Sequence, residues 1–329
     1  MDDVLSVRDL SVAFPVKGAW VDSVDGVSWG VKPGKTLVIV GESGSGKSIS
    51  AKAVMGVLPT NARISAGEIW LGGREVSSLD PREHRKLRGR EIAMVSQDPQ
   101  TSLNPCFTVG SQVSEMIRVH RGTSHRDATQ RAIEMLAKVQ IADPEARARQ
   151  YPHEFSGGMR QRVLLAMALS AEPKVLIADE PTTALDATVQ AQVLVLLREL
   201  QRDTGMAIVL ITHDFGVVSS LADDVAVMYA GRVVESGTVD EVLLRPRHPY
   251  TAALLAATPR LGDGRTLPQQ IPGMPPSIRD FPKGCRFHPR CDRAADTCSQ
   301  AVPVLEKFVG SEQRVACFRP LQPQELSHA

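Results

Sequence analysis

Residues 36–48 read TLVIVGESGSGKS, an apolar run followed by a glycine-rich segment that ends in Lys-Ser. The apolar run is typical of a buried strand, and residues 41–48 match the pattern G-x-x-x-x-G-K-[ST] in full. Glycines in such a loop let the backbone curl until successive N–H groups point at phosphate oxygens, and a following helix directs its positive N-terminal end at the same anion. The stretch therefore predicts a nucleotide site with ATP contacts from Gly41, Glu42, Ser43, Gly44, Ser45, Gly46, Lys47 and Ser48.

Two of these residues have expected roles of their own. The Lys47 ammonium is expected to reach the β- and γ-phosphates, and the Ser48 hydroxyl is expected to coordinate Mg²⁺. The loop thus predicts ATP and Mg²⁺ as the ligands of this chain.

Short apolar runs and amphipathic helices alternate along the rest of the chain. The runs at 175–178 and 207–211 are typical of buried strands, whereas 112–140 and 188–202 have apolar residues at helical spacing. Residues 225–236 predict a hairpin around the dipeptide Ala230-Gly231. Buried strands separated by amphipathic helices predict an α/β fold with a largely parallel sheet.

The composition limits the classes of partner. The 329 residues are 43% hydrophobic and carry 38 basic and 37 acidic side chains, for a net charge of +1. This balance gives no electrostatic reason to expect nucleic acid or anionic lipid as a partner. No apolar run is long enough to span a membrane, and the N-terminus MDDVLSVRDL does not have the pattern of a secretory signal. A role at a membrane would therefore require docking through partner proteins.

A second candidate element is the acidic pair Asp179-Glu180 at the end of the run VLIADE. Taken alone, such a pair is typical of a helix cap or a turn. In a chain with a phosphate loop, a carboxylate at a strand end is well placed to hold Mg²⁺. We therefore expect Asp179 to bind Mg²⁺ and Glu180 to act as the general base that polarises the attacking water.

Residues 154–162 read EFSGGMRQR, and their Ser156-Gly157-Gly158 segment resembles the signature motif of ABC-type ATPases, usually LSGGQ. Two glycines that open a helix expose N–H groups suited to a γ-phosphate. The chain departs from the usual motif at Phe155, in place of leucine, and at Met159, in place of glutamine. The first is a tolerable apolar exchange, and the second removes any contact that the glutamine makes.

The resemblance extends to further motifs in the expected order. Gln97 resembles the Q-loop glutamine, which senses Mg²⁺ and the attacking water, and His213 resembles the switch histidine at the γ-phosphate. Asp186 resembles the D-loop aspartate at the dimer seam. Phe14 resembles the aromatic residue on which adenine stacks, with Trp20 as a rival.

In this family the phosphate loop of one subunit and the signature of its partner enclose one ATP. The chain has one copy of each motif. The resemblance therefore implies a second ABC ATPase subunit, identical or related, with a related heterologous subunit as our expectation.

Three further segments resemble the dipeptide/oligopeptide importer family: QDPQTSLNP (97–105), HPYTAALLAATP (248–259) and GCRFHPRC (284–291). This resemblance implies two membrane permease subunits, an external solute-binding protein, and a peripheral position at the cytoplasmic face of the inner membrane. Some relatives carry nickel, glutathione or other small solutes, so these substrates stay as alternatives. A non-transport ABC ATPase is the other alternative, although the interval between Lys47 and Ser156 has no room for the long coiled coils of repair and chromosome-organising relatives.

Four of the five cysteines, Cys285, Cys291, Cys298 and Cys317, lie in the last 45 residues at the spacing C-x5-C-x6-C-x18-C. Four thiolates fill an iron–sulfur cluster or a structural zinc site, and four unligated thiols are the third possibility. In the importer family the final cysteines are associated with a [4Fe–4S] cluster, which the resemblance implies here.

These observations predict a P-loop NTPase core of the ABC type with a mixed, mainly parallel sheet. We expect the nucleotide-binding domain over residues 1–256, with a helical subdomain at about 98–167. A rise in proline and glycine content marks a small Cys-rich extension over 257–329.

Overall fold

The computed structural model describes residues 2–96, 102–182, 185–258 and 270–322. Gln97 lies outside the described residues. The strands in chain order are β1 (Leu5–Val16), β2 (Ala19–Val31), β3 (Thr36–Val40), β4 (Arg63–Leu71), β5 (Arg74–Glu75), β6 (Ile92–Val95), β7 (Val175–Asp179), β8 (Ala207–Thr212), β9 (Asp224–Tyr229), β10 (Arg232–Thr238), β11 (Glu306–Lys307) and β12 (Arg314–Val315).

The helices in chain order are α1 (Lys47–Val54), α2 (Pro81–Leu87), α3 (Val109–Arg121), α4 (His125–Lys138), α5 (Pro144–Arg147), α6 (Gly157–Leu169), α7 (Ala187–Thr204), α8 (Phe215–Leu221), α9 (Val239–Leu244), α10 (Pro249–Ala256) and α11 (Asp296–Gln300). Short 3₁₀ turns lie at Pro152–Glu154 and His288–Arg290. The chain divides into two compact units. The first comprises residues 1–5, 31–35 and 71–211, and the second comprises 6–30, 36–70 and 212–329.

The first unit contains a parallel sheet in the order β8-β7-β6. Every residue of β7 and β8 is buried, which explains why both strands are nearly continuous apolar runs in the sequence. The 18-residue helix α7 connects β7 to β8, as a parallel pair requires.

A group of helices fills the interval between β6 and β7. The apolar pattern over 112–140 forms two helices, because Gly122 adopts a left-handed conformation (φ 66°) at the end of α3. Ser124 then starts α4, since its side-chain oxygen accepts a hydrogen bond from the Asp127 N–H at 3.2 Å. Helices over this stretch were expected from the sequence, although the break at Gly122 was not predicted.

The second unit contains strands in the order β2-β1-β4 and a second group in the order β11-β12-β10-β9-β3. Strands β3 and β9 are parallel, whereas β9 and β10 form an antiparallel hairpin. Ala230 and Gly231 have φ values of 44° and 85°, the left-handed values that a two-residue hairpin turn of type I′ requires. The predicted hairpin and the α/β fold with a mixed sheet are thus confirmed.

A segment near the C-terminal end of the described residues is part of this second sheet. Strand β12 pairs with β10 in antiparallel register, with Glu235 opposite Val315. The Arg247 guanidinium donates to the Leu321 carbonyl at 2.9 Å and lies over the Phe308 ring at 4.3 Å. Among the described residues, no helix is long and apolar enough to cross a bilayer.

A fully buried carboxyl group, that of Glu235, ties these segments together. Its oxygens accept hydrogen bonds from the Arg247 N–H (2.6 Å), the His248 N–H (3.0 Å) and the Gln313 side-chain amide (2.6 Å). Burial nevertheless raises the pKa of Glu235 from 4.5 to about 7, because the desolvation of a charged carboxylate outweighs the hydrogen bonds that favour it.

This raised pKa predicts a pH-dependent stability. The unfolded chain ionises Glu235 near pH 4.5 and the folded chain near pH 7, so its contribution is complete below pH 4.5 and is lost as the pH rises to 7. We expect the free energy of unfolding to fall by about 3 kcal/mol from this group over that window. Urea unfolding at several pH values between 5 and 8 measures the slope of the free energy of unfolding against pH. Glu235→Gln should remove the contribution of Glu235 to this slope.

The control is Glu306→Gln, which changes an exposed carboxylate. It should leave the slope as in the unsubstituted chain. An identical slope for Glu235→Gln and the unsubstituted chain would contradict the assignment.

Candidate nucleotide site

The phosphate loop of the second unit follows β3 and ends at the first residue of α1. All five residues of β3 are buried, and the chain leaves the strand at Gly41. A Cβ atom added at Gly41 would lie 2.1 Å from the Met228 carbonyl oxygen on the neighbouring strand β9. The loop can therefore begin at this point only with a residue that has no side chain.

The far side of the loop is also held against the β9–β10 hairpin. The Gly231 N–H donates to the Ser45 carbonyl at 2.8 Å, and the Ser45 N–H donates to the Glu42 carbonyl at 3.2 Å. The Ser45 hydroxyl is buried and has no hydrogen-bond partner among the described residues. A buried hydroxyl without a partner, at the start of a helix, fits a site that receives phosphate oxygens.

Lys47 is the first residue of α1 and is only 4% exposed. Its ammonium donates to the Gly41 carbonyl at 2.8 Å and to the Glu42 carbonyl at 3.0 Å. The cation thus lies inside the loop rather than in solvent, where a lysine of this motif is expected to meet an anion. Ser48, its neighbour in the motif, is half-buried.

Asp179 and Glu180 lie in the first unit, at the end of β7. Asp179 is 4% exposed and is opposite Ile211 of β8. Glu180 has a φ of 48°, in the left-handed region, and its N–H donates to the Ile211 carbonyl at 2.9 Å. A left-handed conformation at a residue with a side chain costs on the order of 1 kcal/mol, and such strain is concentrated at functional positions.

The signature segment and the D-loop aspartate are neighbours within the first unit. Ser156 caps α6 by accepting from the Met159 N–H at 3.4 Å, and Asp186 caps α7 by accepting from the Val189 N–H at 2.9 Å. A Cβ atom added at Gly158 would lie 2.4 Å from the Val189 side chain, so α6 and α7 approach closely. Ser156 and Gly157 are exposed at the surface.

The remaining predicted residues lie at these positions. Phe155, the first departure from the signature motif, is a buried core residue, 3% exposed. His213 follows β8 and is exposed. Phe14 is half-buried in β1, whereas Trp20 is 49% exposed, with the Arg63 guanidinium 4.1 Å from its ring centroid. The choice between Phe14 and Trp20 as the adenine partner remains a prediction.

The four C-terminal cysteines line one pocket together with His248, Phe287, His288, Arg293 and Phe318. Among the described residues, neither these four cysteines nor the exposed Cys106 forms a disulfide. Burial raises the pKa of Cys285 and Cys291, and raises that of Cys317 to about 11. In the part of the chain that the structure describes, no three His, Cys, Asp or Glu side chains are arranged as a metal site.

Two residues that contact the phosphate loop were not predicted from the sequence. The Glu42 N–H donates to the Tyr250 hydroxyl at 2.9 Å, and the Glu42 carboxylate accepts from both terminal nitrogens of Arg290. Both residues lie in segments that resemble the importer family, HPYTAALLAATP and GCRFHPRC, but no spacing rule relates these segments to residue 42.

Comparison with known proteins agrees with this geometry. Residues 24–183 match the family model described as ABC transporter, and residues 234–298 match that of the oligopeptide/dipeptide transporter C-terminal region. The oligopeptide transport ATP-binding protein OppD of Salmonella typhimurium is 49% identical over 97% of this chain and 94% of its own. The chain belongs to the ABC transporter family, among its oligopeptide and dipeptide transport ATP-binding proteins. It is an ABC-type ATPase.

Two further members place the chain within the family. The dipeptide transport ATP-binding protein DppD of Escherichia coli is 47% identical over 97% of each chain. The ATP-binding cassette MJ0796, solved as a dimer in a post-hydrolysis state with ADP and Pi, covers 71% of this chain and 98% of its own with a TM-score of 0.64 and 26% identity. The expected ABC-type fold and the peptide-importer family are confirmed.

The close approach of Gly41 to β9 generates a prediction. Gly41→Ala should shift the loop, destabilise the chain by about 1–3 kcal/mol and weaken nucleotide binding, because the nearest obstacle is backbone that cannot rotate away. The matched control is Gly18→Ala, at a hairpin tip where φ is also positive (84°) but nothing lies within 4 Å of the added carbon. Thermal unfolding and titration with a fluorescent ATP analogue measure both effects.

Gly18→Ala should leave nucleotide affinity intact. Equal affinity for the Gly41→Ala and Gly18→Ala variants would show that the approach of the loop to β9 does not shape the site.

Proposed function

We propose that this chain hydrolyses ATP to power the import of dipeptides or oligopeptides. The observation that carries the proposal is the match of residues 234–298 to the C-terminal region of oligopeptide/dipeptide transporters. That region is joined in this chain to the phosphate loop itself, through Tyr250 and Arg290. Relatives named for oligopeptide and dipeptide transport, similar over nearly the full length, support the same substrate class.

The proposed chemistry assigns one role to each site residue. Lys47 and the loop N–H groups bind the phosphates, and the Ser45 hydroxyl supplies a further donor. Ser48, Asp179 and Gln97 would hold Mg²⁺, and the ion would neutralise charge on the β- and γ-phosphates. Glu180 accepts a proton from the attacking water, and His213 contacts the γ-phosphate.

We propose that the active form is a dimer of ATPase subunits. Ser156, Gly157 and Gly158 would serve the ATP that is bound to the partner's phosphate loop, and Asp186 would lie at the seam. The exposure of Ser156 and Gly157 and the dimeric post-hydrolysis structure of MJ0796 support this arrangement. In the proposed transporter a related ATPase subunit, two membrane permeases and an external solute-binding protein complete the assembly. The chain would be peripheral, at the cytoplasmic face of the inner membrane.

The test is ATP hydrolysis by this chain assembled with its partner subunits, with and without peptides. Peptides should stimulate turnover. Glu180→Gln should reduce turnover by about 100-fold or more while leaving nucleotide binding intact, because the amide cannot accept the proton. The matched control is Glu172→Gln, which removes an exposed carboxylate paired with Arg121.

Glu172→Gln should hydrolyse ATP at the unsubstituted rate. Turnover that is indifferent to peptides would overturn the substrate class, and it would favour nickel, glutathione or another small solute. Full activity of Glu180→Gln would overturn the assignment of the base.

We further propose that the four-cysteine pocket binds a [4Fe–4S] cluster, with zinc as the alternative. His248 lines this pocket, and burial lowers its pKa to about 3, so the ring is neutral. Its Nδ1 accepts from the Tyr250 N–H at 3.0 Å, so its Nε2 carries the proton. This Nε2–H group is buried and has no hydrogen-bond partner among the described residues. A sulfur atom of a bound cluster would supply the missing acceptor.

Metal analysis of anaerobically purified protein tests this proposal. We expect iron and inorganic sulfide in the full chain, and loss of both in Cys291→Ser. Cys106→Ser is the control, since Cys106 is exposed and does not line the pocket. Stoichiometric zinc without sulfide would contradict the [4Fe–4S] cluster. Protein without bound metal would contradict both the cluster and zinc.

A further inference from the structure

The second residue of the phosphate loop is held by side chains from the C-terminal part of the chain. The Arg290 guanidinium donates from Nη1 to Glu42 Oε2 at 2.7 Å and from Nη2 to Glu42 Oε1 at 3.1 Å. This is the two-bond pairing in which arginine binds a carboxylate most strongly. The Tyr250 hydroxyl accepts the Glu42 N–H at 2.9 Å.

Arg290 is itself fixed in place. Its Nε donates to the Pro272 carbonyl at 2.8 Å, and its Nη1 also donates to the Tyr229 hydroxyl at 3.3 Å. The Arg290 side chain is only 6% exposed and that of Glu42 is 24% exposed, so solvent screens this ion pair less than a surface pair. The pair is therefore a largely buried connection with several hydrogen bonds rather than an exposed surface contact.

Tyr250 is fully buried. Its ring packs against Tyr229 at 4.5 Å and against Phe287 at 5.3 Å, between ring centroids. Burial raises the pKa of Tyr250, so the hydroxyl remains protonated. Phe287 belongs to the same short segment as Arg290, so one C-terminal segment supports both contacts to Glu42.

Glu42 is thus held from two sides, through its backbone and through its side chain. Lys47 donates to its carbonyl from within the loop, while Tyr250 and Arg290 hold its N–H and its carboxylate from outside. When a nucleotide draws the Lys47 ammonium toward its phosphates, the hydrogen bond from Lys47 to the Glu42 carbonyl weakens. The contacts that Tyr250 and Arg290 make with Glu42 remain. The shape of the first turn of the loop then depends on the C-terminal part of the chain.

We propose that Arg290 is a positioning residue for the phosphate loop, through which the C-terminal segment 284–291 sets the affinity of the chain for nucleotide. Arg290 touches the loop on its outer side through the Glu42 carboxylate. Its loss should therefore weaken nucleotide binding without abolishing the chemistry. This inference goes beyond the proposed transport function and stands whichever solute is carried.

The experiment uses the full chain and measures the dissociation constant of a fluorescent ATP analogue with Mg²⁺, together with KM and kcat for ATP in the assembled transporter. Arg290→Gln should weaken binding and raise KM by about 10-fold, with kcat changed by less than about twofold. Arg290→Lys should fall between Arg290→Gln and the unsubstituted chain, because an ammonium cannot make the two-bond pairing. Tyr250→Phe removes the other contact and should also weaken binding.

Two controls separate positioning from a general loss of structure. Arg247→Gln removes a buried arginine of the same C-terminal part, one that bonds to Leu321 and not to Glu42. It should lower thermal stability and leave nucleotide affinity unchanged. The charge exchange Glu42→Arg with Arg290→Glu should bind nucleotide more tightly than either single variant.

The proposal is overturned if Arg290→Gln binds nucleotide as tightly as the unsubstituted chain, or if Arg247→Gln weakens binding as much. The proposal is also overturned if the loss of binding free energy in the double variant equals the sum of the losses in the two single variants. Loss of kcat with unchanged KM would assign Arg290 to the chemical step and would contradict a positioning role.

Discussion

The contact on which the site depends is the approach of Gly41 to the Met228 carbonyl of the neighbouring strand. Parallel pairing of β3 with β9 brings the end of one strand against the backbone of the other, with Val40 opposite Val227. The chain must turn at Gly41 without a side chain, and the β9–β10 hairpin receives the loop again at Ser45. The curvature that directs N–H groups at a phosphate is therefore imposed by the sheet, before any ligand is bound.

The C-terminal part of the chain contributes to this same unit. Strand β12 adds to β10, and Gln313 and the 247–248 backbone converge on the buried carboxyl of Glu235. Tyr250 and Arg290 extend the connection to Glu42. The region that relates the chain to peptide transporters is thus in contact with the nucleotide loop, which gives it a physical route to influence ATP binding.

Local features of the structure could be predicted from the sequence. The strand at 36–40, the motif of the phosphate loop and the hairpin at Ala230-Gly231 each depend on residues that are neighbours in the chain, where periodicity and turn chemistry decide the outcome. The helical pattern over 112–140 was predicted without its interruption, although Gly122 and Ser124 are local signals of a helix end and of a new helix start.

The contacts that complete the site could not be predicted in this way. Tyr250 and Arg290 are 208 and 248 positions from Glu42, and no local pattern encodes a contact over such a separation. The left-handed conformation of Glu180 is likewise set by its hydrogen bond to Ile211 on the next strand. The motif residues were identified from the sequence, whereas the contacts that hold them in place are long-range.

We expect the phosphate loop to have its binding shape before the nucleotide arrives and Arg290 to maintain this shape. A structure of the full chain with Mg²⁺ and a non-hydrolysable ATP analogue is the test. Phosphate oxygens should lie within hydrogen-bond distance of the Ser45 hydroxyl, the loop backbone should be unchanged over 41–48, and the Glu42–Arg290 pair should be intact. A loop that refolds around the nucleotide, or an analogue bound with the Glu42–Arg290 pair broken, would contradict it.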